Sequence, residues 1–303
     1  MVRRTAAVLS VRPLPAPPRA GRAYSAGVEC GVVATIVAAR PTMPYDRRIR
    51  FDGPLVAWHE LRLLADAARW SDEYRAETAR LMVPGDGWVE CERGGRRFAC
   101  DRISPLWLTP AAPYRLRQPL AGQRSTVLVL HRPLPAPTEA RPLLAPRAQL
   151  ALARWSARLR RGGVEALALE EAVLAIVDDS LGQDPARPPH RGVERARAFL
   201  AADPGRDATL SDIAAAAACS PFHLARAFRH ATGLSLHGYR TRLRMALALR
   251  RLGEGEDRLA LLAAELGYAS HSHFSATFRR WHGLTPAGLR QQLRTNPTAL
   301  PAR

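Results

Sequence analysis

Hydrophobic positions keep a period of two from about Val28 to His131 and a period near 3.6 thereafter. In the first stretch apolar and polar residues alternate over short segments at 28–38, 55–63, 87–93, 96–102 and 125–131. Proline and glycine turns such as Pro84-Gly85-Asp86-Gly87 separate them. Many short strands with tight turns predict a β-sandwich or a small barrel. Later, Leu150, Trp155 and Leu159 fall on one helical face, and Leu167, Val173, Leu174 and Val177 on the next, with Gly162-Gly163 between them. From His190 onward the pattern is helix and turn only. This punctuation predicts a proline-rich arm (1–22), a β region (23–145), a helical segment (146–181), a patternless linker (182–189) and a helical domain (190–303).

The helical domain contains an internal repeat at an offset of fifty positions. His223, Leu224, Phe228, Arg229, Gly233 and Leu234 recur in register as His273, Phe274, Phe278, Arg279, Gly283 and Leu284. Each copy follows a short Ala-rich helix. In the first, Thr209 and Asp212 form a capping-box pattern, and Ile213-Ala214 opens the apolar face. A turn at Ala218-Cys219-Ser220 leads to a second helix capped by Ser220, with Pro221 at its first position, where a missing N–H costs nothing. In the second copy the turn is Gly267-Tyr268-Ala269 and the cap Ser270. Short helix, short turn and second helix, twice over, is a doubled helix-turn-helix.

The second helix of each copy sorts into faces. Leu224 and Phe228, at i and i+4, should pack inward. Phe222, Arg226 and Arg229 share another face, with His223 beside them, and can enter a major groove. An arginine there can hold guanine O6 and N7 bidentately, or a phosphate. The corresponding outward residues of the second copy are Ser272, Ala276 and Arg279, flanked by His271, His273, Ser275 and Arg280. A helix at 236–252, with Tyr239, Leu243 and Leu247 along one stripe, joins the copies and spans roughly 25 Å. That length would hold the two reading helices about one DNA turn, ~34 Å, apart. Arg240, Arg242, Arg244, Arg250 and Arg251 on this helix read as phosphate contacts or solvated charge.

At these residues the chain resembles the AraC/XylS family of bacterial transcription regulators. The resemblance rests on the text beginning Leu210-Ser211-Asp212-Ile213, on 220–229, on Leu266-Gly267-Tyr268 and on 272–286, and covers about the last hundred residues. It implies an α+β chain: a cupin-like β-barrel or sandwich that senses a small molecule, a helical dimerisation segment, and an all-α domain of seven helices with two helix-turn-helix units. Double-stranded DNA, RNA polymerase, a small-molecule effector and a second copy of the chain are the implied partners. Two departures stand out: arginine is common in the family where Ala276 stands, and tyrosine where Leu289 stands.

Charge changes the picture only partly. The 303 residues hold 45 basic residues, all arginine, against 27 acidic ones, for a net +18. A basic chain suits an anionic partner, while an arginine-only complement is also what a GC-rich genome would encode. Only +9 belongs to residues 190–303; residues 1–145 carry another +9 and 146–189 none. In the β region a long-range pull on DNA and an anionic effector are both open readings of that excess.

Other chemistry finds little support. Apolar runs fall short of the ~20 residues of a membrane span, and the sequence predicts no secretory leader, hence a cytoplasmic protein. Cys30, Cys91, Cys100 and Cys219 include no CxxC pair. With Gly94-Gly95 as a two-residue turn, Cys91 faces Phe98 and Cys100 faces Val89, which leaves the two thiols diagonal and unbridged. His59 and His131 lack an HxH partner, and His271 and His273 point apart on a helix, so no metal or cofactor is expected. Nucleophile-elbow, dinucleotide and Walker motifs are missing as well. The sequence therefore predicts a non-enzymatic regulator, more an activator than a repressor. Trp58, Trp107 and Tyr114 are the candidate effector contacts. The alternatives are a cupin-type enzyme with an accessory DNA-binding domain and a constitutive repressor without ligand.

Overall fold

The structure is a computed structural model and describes residues 45–63, 69–119, 122–132, 143–162, 164–181 and 190–295. The arm at 1–22, the strand expected at 28–38, Cys30, Gly163 and the linker at 182–189 lie outside the described residues. Everything described belongs to one compact unit, Pro41–Arg303.

The strands form two antiparallel sheets, with no closed ring among the described residues. The larger places β1 (Tyr45–Asp52), β2 (Val56–Leu63), β8 (Arg124–Leu130), β3 (Arg80–Pro84) and β6 (Leu106–Leu108) side by side in that order. The smaller is β5 (Arg96–Asp101), β4 (Trp88–Arg93) and β7 (Arg115–Arg117). Between the sheets lie Ala57, Met82, Val127 and Val129 of the large sheet, with Val89, Cys91, Phe98 and Cys100 of the small one. The opposite face of the large sheet presents Val56, Trp58, Leu81, Val83, Leu128 and Leu130 to two helices, α1 (Pro146–Arg161) and α2 (Ala166–Leu181). The large sheet is thus covered on both sides. That is why β3 and β8 read as continuous apolar runs, Leu81-Met82-Val83 and Val127-Leu128-Val129-Leu130, where a half-buried strand would alternate.

The β4–β5 hairpin follows the expected register. Val89 pairs with Cys100 and Cys91 with Phe98, across a turn in which Gly94 and Gly95 have φ of 56° and 72°. Two successive positive φ values define the tight hairpin turn that matches strand twist, and glycine adopts them without a Cβ penalty.

In α1 and α2 the two apolar stripes have different fates. Trp155 and Leu159 are buried with Leu152, Val173 and Val177 against Trp58 and Trp107. Leu167 and Leu174 stay exposed, at 61% and 37%. The sequence leaves Trp155/Leu159 or Leu167/Leu174 as the stripe of the expected dimerisation segment; Trp155 and Leu159 are core within one chain, and Leu167 and Leu174 are open.

Seven helices follow: α3 (Arg191–Ala202), α4 (Leu210–Ala217), α5 (Pro221–Thr232), α6 (Leu236–Gly253), α7 (Leu259–Glu265), α8 (His271–His282) and α9 (Pro286–Thr295). Helix α6 serves two cores at once. Tyr239, Leu243 and Ala246 close the first with α3, α4 and α5, while Met245, Ala248, Leu249 and Leu252 close the second with α7, α8 and α9. Leu247 packs against the second core, so the expected Tyr239–Leu243–Leu247 stripe is divided between the two. Among the described residues no helix is long and apolar enough to cross a membrane.

Candidate nucleic-acid interface

Local chemistry builds each helix-turn-helix. Thr209 caps α4 in a full capping box: its backbone N–H donates to Asp212 Oδ2 (2.8 Å), and its Oγ1 accepts from the Asp212 N–H (3.2 Å). These bonds hold the Asp212 carboxyl below its ordinary value, the Thr209 hydroxyl contributing most. Ser220 and Ser270 cap α5 and α8 through the N–H groups of His223 (3.3 Å) and His273 (3.1 Å). Gly233 and Gly283 end the same helices with φ of 71° and 74°, each N–H donating to an arginine carbonyl one turn back.

The turns are not identical copies. Cys219 N–H bonds Ala214 O in the first, and Tyr268 N–H bonds Ala263 O in the second, both at 3.0 Å. The repeat offset is therefore 49 up to the turn and 50 after it, with Ala269 the extra residue. Ala218 and Gly267 are the equivalent left-handed positions, at φ 52° and 72°. Gly267 is crowded as well: a Cβ there would lie 2.4 Å from Gly205 O and 2.7 Å from Arg244 Nη2.

Buried faces anchor the reading helices. Leu224 and Phe228 of α5, and Phe274 and Phe278 of α8, are fully buried. Phe228 meets Tyr239 edge to face at 5.2 Å, and Phe274 lies 5.5 Å from Tyr268. On the outward side of α5, Phe222 is 80% exposed, and His223, Arg226 and Arg229 are exposed with it. On α8, Ser272, His273, Ala276, Arg279 and Arg280 are exposed. Each set lies on one face of its own helix. His223 Nε2 lies 3.5 Å from Nε2 of His190, the cap of α3, and His273 stands edge-on to Tyr268.

A contrast between arginines singles out these faces. Those of α6 are engaged inside the protein: Arg240 donates to Ala208 O, Arg242 to Leu144 O, and Arg244 to the carbonyls of Pro204, Gly205 and Gly267. Arg250 pairs with Asp86 and Glu254, and Arg251 with Glu256 and Glu265. This corrects the reading of α6 as a bank of phosphate contacts or solvated charge, because its partners are carbonyls and carboxylates of the protein itself, most of them from other segments. No ion pair engages Arg226, Arg229, Arg279 or Arg280 among the described residues. Four guanidinium groups on two reading helices are thus available to an anion.

The aromatic residues named as effector contacts sit elsewhere. Trp58 and Trp107 are fully buried in the core beneath α1 and α2, and Tyr114 lies in the core between the sheets. None of the three lines the cavity of about 450 Å³ between the large sheet, α1 and α6. His131 pairs with Asp52 (2.9 Å), and no cluster of three metal-ligating side chains occurs among the described residues. The arginines of that cavity were not legible in the sequence, because β1, β2, β3, β8, α1, α6 and Arg102 build it together.

Comparison with known proteins agrees with this geometry. A helix-turn-helix domain family matches residues 213–292. A Streptomyces antibioticus protein, named for its likeness to AraC transcription regulators, is 38% identical over 99 residues, 33% of either chain. The regulatory protein PocR of Salmonella typhimurium is 26% identical over 148 residues, 46% of this chain and 49% of PocR. The HTH-type transcriptional activator RhaR of Yersinia pseudotuberculosis is 36% identical over 80 residues, 26% of this chain and 27% of RhaR. The chain thus spans between a quarter and a half of the length of these relatives.

Proposed function

We propose, from the premise that the helical half of this chain is a double helix-turn-helix domain of the AraC/XylS family, that the protein is a sequence-specific, effector-responsive transcription activator. Helices α5 and α8 enter successive major-groove segments on one face of double-stranded DNA. Phe222, His223, Arg226 and Arg229 read the first segment; Ser272, His273, Arg279 and Arg280 contact the second. The observation that carries this reading is the division of the arginines: those of α6 are satisfied internally, while those on the outward faces of α5 and α8 are not. An exposed Phe222 suits a thymine methyl, and Arg226 suits a guanine edge. Ala276 leaves α8 with fewer base-reading groups than α5, so α8 gives the smaller share of the sequence preference.

The β half supplies a cupin-like sensory fold, and α2 supplies the dimer contact through Leu167 and Leu174. RNA polymerase is the partner that activation requires. Arg226→Ala tests the reading. We expect a loss of about 1–3 kcal/mol at a selected site and relaxed preference at one base pair. Unchanged affinity and an unchanged footprint on that site would overturn the placement of α5.

A further inference from the structure

The cavity between the large sheet, α1 and α6 holds seven arginines and three acidic side chains along its walls. All three acids are already engaged, Asp46 by Arg48 and the other two by two arginines each. Glu60 pairs with both Arg50 and Arg160, and Glu254 with both Arg124 and Arg250. Asp86, just outside, takes Arg124 and Arg250 as well. Arg102, in the turn after β5, has none: its Nη2 is wholly enclosed and meets no hydrogen-bond partner. Burial, reinforced by the neighbouring Arg250 charge, pushes the Arg102 pKa down to about 9. A guanidinium nitrogen shut off without an acceptor is costly, and an anion on the accessible side of this half-buried group would offset that cost.

The remaining wall has an apolar side, with Val83 from the sheet, Leu152 and Ala153 from α1, and Leu249 from α6, beside the uncharged polar Thr126, Gln149 and Ser156. A volume of about 450 Å³ lies within the range of small-molecule sites. We propose that this cavity binds a small amphipathic organic anion, its carboxylate or phosphate head on Arg102 and its apolar body against Leu152 and Leu249. The proposal rests on the effector-responsive part of the function above and gives that effector a place and a chemistry.

The position also gives the ligand a route to the reading helices. Asp101, the residue before Arg102, takes the Tyr239 hydroxyl of α6 on its Oδ2. Its Oδ1 accepts from the N–H groups of Ile103 and Ser104 (3.0 and 2.9 Å), which fixes the turn. Tyr239 Oη in turn accepts from Arg197 of α3 (3.0 Å). A head group on Arg102 therefore pulls on the turn that is latched to the first helix-turn-helix.

The test is calorimetric titration of the full-length protein with phenyl phosphate, benzoate and inorganic phosphate, without DNA. Expected is saturable one-to-one binding of phenyl phosphate, benzoate or both, with the tighter of the two naming the head group. Arg102→Gln should weaken it at least about ten-fold, and so should Ser156→Phe, which fills the cavity from α1 without touching the charge. Ser156→Phe should keep the wild-type melting temperature, and Arg102→Gln should melt no lower than wild type, because it removes a guanidinium nitrogen that is shut off without a partner. Absence of saturable binding to either organic anion, or equal affinity in both variants and wild type, would overturn the site. Equal binding of inorganic and phenyl phosphate would overturn its apolar half. Gel shifts of the same ligand-free preparations on selected DNA read the DNA-binding function separately, so failure of one reading leaves the other visible.

Discussion

Exchanging glycine and alanine between the two helix-turn-helix turns should move stability in opposite directions by unequal amounts. Ala218 sits at φ 52° and ψ 48°, a left-handed placement that costs an L-residue about 1–2 kcal/mol. Glycine removes that cost but loses about 0.5–1 kcal/mol more backbone entropy on folding. Ala218→Gly should therefore stabilise the protein by about 0.5–1 kcal/mol. Gly267→Ala reverses this balance and adds a steric one, because the new Cβ would lie 2.4 Å from Gly205 O. The chain must then shift against Arg244, which holds Pro204 O at 2.7 Å and Gly267 O at 3.3 Å. Charge-assisted bonds of that kind contribute about 1.5–3 kcal/mol. The sum is about 3 kcal/mol, or a fall on the order of 10 °C in Tm. Thermal unfolding followed by circular dichroism, both variants beside wild type, measures it. A Gly267→Ala protein that melts within about 1 °C of wild type would refute the turn geometry and the 49-residue equivalence of Ala218 with Gly267.

Two further predictions concern assembly and pH. Leu167→Glu with Leu174→Glu should leave the fold intact and yield monomers in sedimentation at micromolar concentration, whereas Trp155→Ala should cost about 3–5 kcal/mol of stability; a double variant that still dimerises would exclude the α2 face. His282 is buried beside Phe278 (ring centroids 4.7 Å apart), and burial pushes its pKa down to about 4. The folded protein keeps this imidazole neutral while the unfolded chain protonates it near 6.5, so its contribution is whole above that pH and is lost as pH falls toward 4. The loss is on the order of 2–3 kcal/mol. His282→Leu should flatten the Tm profile over that window, and a profile identical to wild type would contradict the burial of a neutral histidine.

What was legible in the chain was local. Thr209, Asp212, Ser220, Pro221 and Ser270 act within three residues of themselves, so caps and turns could be read directly, and the repeat set Leu224, Phe228, Phe274 and Phe278 inward. The hairpin register of Cys91 and Cys100 followed from two glycines for the same reason. What failed to show was long-range. Arg242 looks solvent-bound until Leu144 O is found 2.8 Å away, across 98 positions of chain. Periodicity gives Trp155/Leu159 and Leu167/Leu174 equal standing, and only packing against Trp58 and Trp107 separates core from open face. The one-residue difference between the turns, and the cavity around Arg102, likewise depend on segments that meet only in the folded protein.

The central claim is that one chain holds two reading helices at a fixed separation through α6, whose 18 residues span ~27 Å. The most direct test takes a site selected from random DNA and inserts five base pairs between its two protected segments, which turns the second segment by about half a helical turn. Affinity measured by gel shift should fall to that of a duplex carrying the first segment alone, and a ten-base-pair insertion should not restore it, because α6 cannot stretch. Affinity unchanged by the five-base-pair insertion would contradict the account.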